Sequence, residues 1–356
     1  MRESSVQGEM PVAAPILSVT GLQVHFPVYG GLLQTRVGSV KAVDNISFEV
    51  GEGETLGLVG ESGCGKSTTG MALMRMLPTS GGSIVFEGRD ITHLGHREMQ
   101  PIRRRMQLVY QDPFGSLDPR MTIGQIIAEP LDIHRLYTGR QVRRRRLEEL
   151  LGMVGLRSNM INRYPHQFSG GQRQRVSIAR ALAVEPRLLV CDEPVSALDV
   201  SIQAQIVNLF QELQATLGIS NIFIAHDLAV VRHVSQRVAV MYLGTIVEIA
   251  TREELYESPK HPYTQALMAA IPSTDPVLEA SRPHQTISGE VPSAMNPPPG
   301  CRFHPRCPQA MAICRVEAPL LQEQGKGKVA CHLYSEATKP GGVAAETKPA
   351  GAHQAV

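Results

Sequence analysis

Two rhythms of apolar and polar residues run from Ile16 to about Ala250. In "AVDNISFEV" (Ala42–Val50), Val43, Ile46, Phe48 and Val50 sit among polar neighbours, the near-alternation of a half-buried strand. "TLGLVG" (Thr55–Gly60) is a compact apolar strand, and "STTGMALMRML" (Ser67–Leu77) behind it has helical spacing. "RLLVCD" (Arg187–Asp192) and "NIFIAH" (Asn221–His226) are short and almost wholly apolar, as strands covered on both faces of a parallel sheet are. Between them, Ile202, Ile206, Leu209, Phe210, Leu213 and Leu217 line one face of a helix. "VAVMYLGTIVEIA" (Val238–Ala250) reads as a buried strand pair. Strand–helix–strand alternation of this kind predicts an α/β fold.

The rhythm changes twice. From about Met121 to Ala183 no strand is evident, and "QVRRRRLEELLGMVGL" and "GGQRQRVSIARALA" read as helices. A helical subdomain (121–183) is therefore expected inside the sheet domain (16–250). After Glu254 aliphatic runs thin out, and 14 of the chain's 25 prolines lie there. That extension (251–335) is too poor in apolar residues to stand easily alone. Within it, Pro262 suits the first position of a helix, with Leu267 and Ile271 on its core face. Residues 1–15 read as a flexible lead and 336–356 as a disordered tail.

Charge removes one class of partner. Lys and Arg number 35 against 33 Asp and Glu, a net +2, whereas a nucleic-acid binder carries a basic excess. The local runs Arg103–Arg105 and Arg143–Arg146 read as solvated faces. "MRESSVQGEMPVAAP" lacks the apolar segment of a secretion signal, and no stretch approaches the ~20 apolar residues that span a bilayer. A cytosolic location is expected, where cysteines stay reduced.

One loop carries chemistry. "GESGCGKS" (Gly60, Glu61, Ser62, Gly63, Cys64, Gly65, Lys66, Ser67) fits G-x-x-x-x-G-K-[ST] between a strand and a helix. Its glycines let backbone N–H groups curl around phosphate oxygens, and the helix adds its positive N-terminus. Lys66 is placed to reach β- and γ-phosphates, Ser67 to coordinate Mg²⁺, and Thr68 to add a phosphate contact. Cys64 is a filler in the loop. Asp192, at the end of an apolar strand, puts a carboxylate beside the Mg²⁺ water shell. Glu193 follows and points differently, because side chains alternate on leaving a strand. It suits a general base that takes a proton from the attacking water. Cys191, inside the strand, packs as a small apolar residue.

"FSGGQRQR" (Phe168–Arg175) supplies a second anion cradle, with Ser169, Gly170, Gly171 and Gln172 at a helix start. It resembles the signature sequence of ATP-binding cassette (ABC) ATPases, with Phe168 where leucine is usual. That resemblance covers about Ile16–Ala250 and implies a P-loop ABC nucleotide-binding domain using ATP and Mg²⁺. It also implies that the signature acts on a partner's ATP across a head-to-tail dimer. Gln111 in "VYQDP" resembles the Q-loop glutamine, which contacts Mg²⁺ or the attacking water. Asp199 in "SALD" resembles the D-loop aspartate, and His226 in "IAHDL" the switch histidine at the γ-phosphate. Phe26 in "VHFPVYGG" resembles the aromatic that stacks on adenine; Tyr29 competes for that role, and a core role stays open for either.

A narrower resemblance follows. "FPVYGGLL", "QDPFGSLDPRMTIGQIIAEPL" and "HPYTQALMAAIP" are similar to the ATP-binding subunits of bacterial dipeptide and oligopeptide importers, the first two to their F-type subunit. This implies a peripheral ATPase at the cytoplasmic face of the cell membrane. Its implied partners are a D-type ATPase chain, two transmembrane permease subunits and, indirectly, a substrate-binding protein, with no nucleic acid. The alternative is a non-transport relative, such as an accessory subunit of carbon–phosphorus lyase.

Four of the six cysteines, Cys301, Cys307, Cys314 and Cys331, cluster as C-x5-C-x6-C-x16-C. Neither the usual zinc spacing nor the common ferredoxin run matches. The residues alone read as a metal site of open identity, since four soft thiolates suit zinc or an iron–sulfur cluster. Unrelated buried cysteines and a disulfide pair are the other readings. The importer resemblance implies a [4Fe–4S] cluster, with zinc as the alternative, serving as a staple for a segment short of apolar surface. Arg302, Arg306 and Arg315 are then placed to offset the cluster's charge, and His304 reads as a loop residue rather than a ligand.

Overall fold

The two rhythms separate into two sheets. The computed structural model describes residues 14–31, 34–137, 139–271 and 289–335. Its strands are β1 (Leu17–Gly30), β2 (Thr35–Val50), β3 (Thr55–Val59), β4 (Gly81–Phe86), β5 (Arg89–Asp90), β6 (Met106–Val109), β7 (Leu188–Asp192), β8 (Ser220–Ala225), β9 (Arg237–Tyr242), β10 (Thr245–Thr251), β11 (Gln322–Gln324) and β12 (Gly327–Val329). Its α-helices are α1 (Lys66–Leu73), α2 (His96–Arg105), α3 (Ile123–Ile133), α4 (Arg140–Met153), α5 (Gly170–Leu182), α6 (Val200–Leu217), α7 (Leu228–Val234), α8 (Arg252–Glu257) and α9 (Pro262–Ala269).

The smaller sheet runs β2-β1-β4-β5 and is antiparallel. The larger runs β11-β12-β10-β9-β3-β8-β7-β6, with β9, β3, β8, β7 and β6 parallel. Helices cover both faces of those parallel strands, so successive side chains enter opposite cores. Leu56, Leu58, Val190, Ile222 and Ile224 enter one; Val59, Leu189, Cys191, Phe223 and Ala225 enter the other. That is why these strands are apolar throughout rather than alternating. In β2 the three-residue step from Val43 to Ile46 is absorbed by a register shift, with Asn45 at φ 61°.

Among the described residues, 121–183 hold α3, α4, α5 and two short 3₁₀ turns, and no strand. Helix α1 is shorter than its apolar spacing suggests. It stops at Leu73, Arg75 turns to φ 52°, and the Met76 N–H closes back on the Met71 carbonyl. Leu217, at the last turn of α6, is exposed rather than in the core face; the buried stripe is Ile206, Leu209, Phe210 and Leu213. In α9, Pro262 takes the first position, but Tyr263, Ala266 and Met268 are buried while Leu267 and Ile271 are half-buried.

The extension is joined to the core sheet. β12 pairs with β10 (Glu248 opposite Val329, Ile249 opposite Lys328) and β11 completes a hairpin. Phe303, 1% exposed, is wedged against Tyr242, Tyr263 and His261 with ring centroids 5.3, 5.4 and 5.7 Å away. Burying such a ring contributes about 1.5–3 kcal/mol. Strand pairing and aromatic packing join the extension to the core sheet. The flexible ends expected at 1–15 and 336–356 lie outside the described residues, apart from Ala14 and Pro15. No helix among the described residues is long and apolar enough to cross a membrane.

Candidate active site

The parallel strands deliver their ends to one edge. Val59 pairs with Ala225, Asp192 with Ile224 and Val109 with Cys191. The residues that follow these strands are the phosphate loop, His226, Glu193 and Gln111, so four stretches far apart in sequence meet along one edge. This carboxyl-end crevice is where open α/β sheets bind ligands.

The loop's shape is fixed by contact. Gly65 has φ 107°, and a Cβ there would lie 2.1 Å from the Ala42 carbonyl oxygen. Gly60, at φ 152°, would meet the Met241 carbonyl oxygen at 2.1 Å. Lys66 is 4% exposed and donates its Nζ to the Gly60 and Glu61 carbonyls at 2.8 and 3.0 Å. Its charge is thereby folded into the mouth of the loop. Cys64 is buried, burial pushes its thiol up, and its carbonyl accepts the Gly244 N–H at 2.8 Å, as a packing residue would. Ser62 and Gly63 are exposed, and Thr68 is half-buried.

Ser67 Oγ donates to Asp192 Oδ1 at 2.8 Å, which brings together the two oxygen donors expected to serve Mg²⁺. Burial pushes Asp192 up, the Ser67 hydrogen bond and the Lys66 charge pull it down, and Glu193 pushes it up again. The net direction is upward, so a divalent cation there relieves unfavourable charge. Cys191 is fully buried and its thiol is pushed far up by burial.

Glu193 has φ 44°, a left-handed backbone that costs a non-glycine residue on the order of 1 kcal/mol or more. Its N–H donates to the Ile224 carbonyl at 2.9 Å, and its carbonyl accepts the Ser196 hydroxyl at 3.0 Å. These bonds hold the turn that swings the carboxylate out of the strand. Gln111 Nε2 donates to Glu193 Oε2 at 2.8 Å, and His226 Nδ1 lies 3.5 Å from the same oxygen. The expected Q-loop, base and switch residues converge on one carboxylate.

Other expected residues stand apart from this cluster. Ser169 is exposed and caps α5, its hydroxyl accepting the Gln172 N–H at 3.3 Å while its own N–H donates to Gln172 Oε1 at 3.1 Å. Gly170 and Gly171 pack against Leu198 and Ile202; a Cβ on Gly171 would meet Ile202 Cγ2 at 2.4 Å. Phe168 is buried in the core in place of a leucine. Asp199 is exposed at the N-terminus of α6. Phe26 is 37% exposed and pairs with Val40, two residues from the Ala42 carbonyl that abuts Gly65. Tyr29 lies farther along the hairpin, opposite Arg36.

The four cysteines share one neighbourhood. Cys301 N–H donates to the Cys314 carbonyl at 2.8 Å, and Cys331 feels the charge of the other three. Burial pushes Cys301 up to about 11, Cys331 up to about 12, and Cys307 upward as well. Among the described residues no group of three or more His, Cys, Asp or Glu is gathered tightly enough to hold a metal ion. His304 Nδ1 bonds the Cys301 carbonyl at 2.9 Å and opens a short 3₁₀ turn, His304–Arg306, rather than lying in a loop. Two arginines expected to offset a cluster are engaged elsewhere. Arg302 pairs with Asp44 and the Leu243 carbonyl, and Arg306 with Glu61 of the phosphate loop. That second pairing, and a hydrogen bond from the Glu61 N–H to Tyr263 Oη at 3.0 Å, were not foreseen from the sequence. The one available signal was a tyrosine and an arginine set among prolines in a segment without apolar runs.

Comparison with known proteins places this geometry. Residues 43–196 match the family model described as ABC transporter, and residues 247–314 match oligopeptide/dipeptide transporter, C-terminal region. The chain is 51% identical over 322 residues to the oligopeptide transport ATP-binding protein AppF of Bacillus subtilis (strain 168), covering 90% of this chain and 98% of the relative. The chain belongs to the ABC transporter family. It falls in the branch of the oligopeptide transport ATP-binding proteins, being also 50% identical over 318 residues to OppF of Salmonella typhimurium, across 89% of this chain and 95% of that one. Among solved structures, the dimeric post-hydrolysis state of the ATP-binding cassette MJ0796 bound to ADP and Pi is similar, with a TM-score of 0.58 and 28% identity. It covers 66% of this chain and 98% of that one. As an ABC ATPase, the chain hydrolyses ATP.

Proposed function

We propose that this chain powers import of di- or oligopeptides as the F-type ATPase of an ABC importer. It pairs head-to-tail with a D-type ATPase chain at the cytoplasmic face of the membrane, on two permease subunits that receive peptide from a binding protein. The observation that carries this reading is the match of residues 247–314 to the C-terminal region of oligopeptide/dipeptide transporters. That stretch lies outside the 43–196 match to the ABC transporter model, so it speaks for the branch and not merely for ATP hydrolysis.

The residues divide the work. The loop amides of Gly60–Ser67 and the Lys66 charge bind the phosphates, with Thr68 adding a contact and Phe26 stacking on adenine. Ser67 and Gln111 would hold Mg²⁺, with Asp192 beside its water shell, and the bound ion would neutralise phosphate oxygens. Glu193 takes the proton from the water that attacks the γ-phosphate, with Gln111 and His226 fixing its Oε2. Ser169, Gly170, Gly171 and Gln172 complete the partner's site, and Asp199 touches it. This agrees with an exposed Ser169 whose hydroxyl is occupied only by its own helix. Gln111 also lies on the wall of a groove of about 1020 Å³ shared with Tyr110, Glu129, Pro130 and Ile133. We place the permease contact in that groove, where a shift of Gln111 reaches α3.

At the four cysteines we place a [4Fe–4S] cluster in preference to zinc. Four soft thiolates suit either group, and the preference rests on the likeness of this cysteine-bearing extension to that of peptide-importer ATPases. Cys301, Cys307, Cys314 and Cys331 would hold the cluster, which would take the place of the protons that burial keeps on Cys301 and Cys331. Affinity purification of the tagged chain from detergent-solubilised membranes, carried out anaerobically with iron, sulfide and zinc analysis, tests both parts. Recovery of permease chains and of about four irons per chain is expected. Recovery of lyase subunits without permease chains contradicts the import reading, and metal-free or zinc-loaded protein contradicts the cluster.

A further inference from the structure

The turn between Cys301 and Cys307 reaches into the ATP site. Arg306 grips the Glu61 carboxylate with two nitrogens, Nη1–Oε2 at 3.0 Å and Nη2–Oε1 at 3.2 Å, and its side chain is 7% exposed. Nη1 also reaches Tyr242 Oη at 3.4 Å. The Glu61 N–H donates to Tyr263 Oη at 3.0 Å. One residue of the phosphate loop is therefore held at both its side chain and its backbone by residues of the extension. The Glu61 carbonyl in turn accepts from Lys66 Nζ at 3.0 Å, so the set of Glu61 fixes the lysine that meets phosphate.

The support behind these two contacts is rigid. Tyr242, Tyr263 and Phe303 form a block with centroids 4.7–5.4 Å apart, all three fully or almost fully buried. Arg302 fastens the same turn to Asp44 and to the Leu243 carbonyl. Gly244, next in the β9–β10 turn, donates to the Cys64 carbonyl at 2.8 Å and accepts from the Asp44 N–H at 2.8 Å. The turn of the extension, the β9–β10 turn and the phosphate loop are stacked in that order.

We propose that the Cys301–Cys307 turn is a strut for the phosphate loop, with Arg306 and Tyr263 as positioning residues for ATP binding. Arg306 does two things. It cancels a carboxylate that would otherwise face a polyanion, and with Tyr263 on the Glu61 N–H it fixes the residue whose carbonyl accepts from Lys66. Neither residue falls within the stretch that matches the ABC transporter model, 43–196. The ATP site of this chain is thus finished by its extension. The strut rests on the loop binding ATP, which titration of the wild-type chain tests separately.

The test is calorimetric titration of the full-length chain with ATP and Mg²⁺, with melting temperature measured on each variant. Arg306→Met is expected to weaken binding about tenfold and Arg306→Lys about threefold, since lysine keeps the charge but not the two-nitrogen grip. Adding Glu61→Gln to Arg306→Met is expected to recover most of the loss, because the unpaired carboxylate has gone. Wild-type affinity in Arg306→Met overturns the proposal. So does an equal loss with and without Glu61→Gln, which is what a merely loosened extension would give. Tyr263→Phe removes a single oxygen and carries the test if Arg306→Met does not fold. About threefold weaker binding is expected there, and unchanged affinity overturns the backbone half of the strut.

Discussion

Glu193 shows how much the site depends on single backbone torsions. A residue at φ 44° is tolerated because Ile224 and Ser196 bond its backbone from both sides, and the strain aims the carboxylate at Gln111 and His226. His261 is a second residue held in a costly state. It caps α9 by accepting the Tyr263 N–H on Nδ1 at 3.0 Å, and burial pushes its pKa down to about 3. An unfolded chain binds that proton near pH 6.5. Between those two values the unfolded state holds more protons, so His261 favours folding fully above about 6.5 and loses that contribution as pH falls, by about 1.4 kcal/mol per unit. Glu248, which accepts the His261 N–H at 2.9 Å, is pushed up by burial and acts in the opposite sense. The comparison must therefore be with His261→Asn, which keeps a cap but not the titration. Urea midpoints at pH 7.5 and 5.5 should fall further for the wild type than for the variant; parallel falls would contradict the assignment.

At the scale of elements, what the sequence made legible was what depends on period and on strand ends. Apolar runs located β3, β7, β8, β9 and β10, and the residues following three of them are Gly60–Ser67, Glu193 and His226. The signature serine was legible too, and its placement yields a prediction. Ser169→Arg should leave ATP binding by the isolated chain within about twofold, at the cost of roughly 1 kcal/mol of capping. It should cut turnover in the assembled transporter by at least about tenfold, because the cradle serves the other chain. Loss of ATP binding by the isolated chain would place Ser169 on its own loop instead. What was not legible was long-range. Glu61 and Arg306 are 245 residues apart, and no local rhythm marks them as a pair. The end of α1 was set by Arg75 turning left-handed rather than by the apolar spacing that continues to Leu77. The three residues of β12 carry no period at all; they form a strand because β10 offers an edge.

For the whole molecule, these contacts make the extension part of the nucleotide machine. The core sheet brings Gly60–Ser67, Gln111, Glu193 and His226 to one edge, and the extension holds Glu61 of that loop. Gln111 bonds Glu193 and also lines the groove beside α3, the path along which the proposed function carries hydrolysis to the permease. Under the proposed function, hydrolysis by this site drives peptide entry. The most direct measurement is ATP-dependent uptake of a labelled peptide into proteoliposomes carrying the purified importer, with this chain wild type or Glu193→Gln and the partner ATPase's site disabled in both. Glu193→Gln is expected still to bind ATP but to lose at least about 100-fold in turnover and all uptake above background. Turnover and uptake at the wild-type rate in the Glu193→Gln importer would contradict the proposed function.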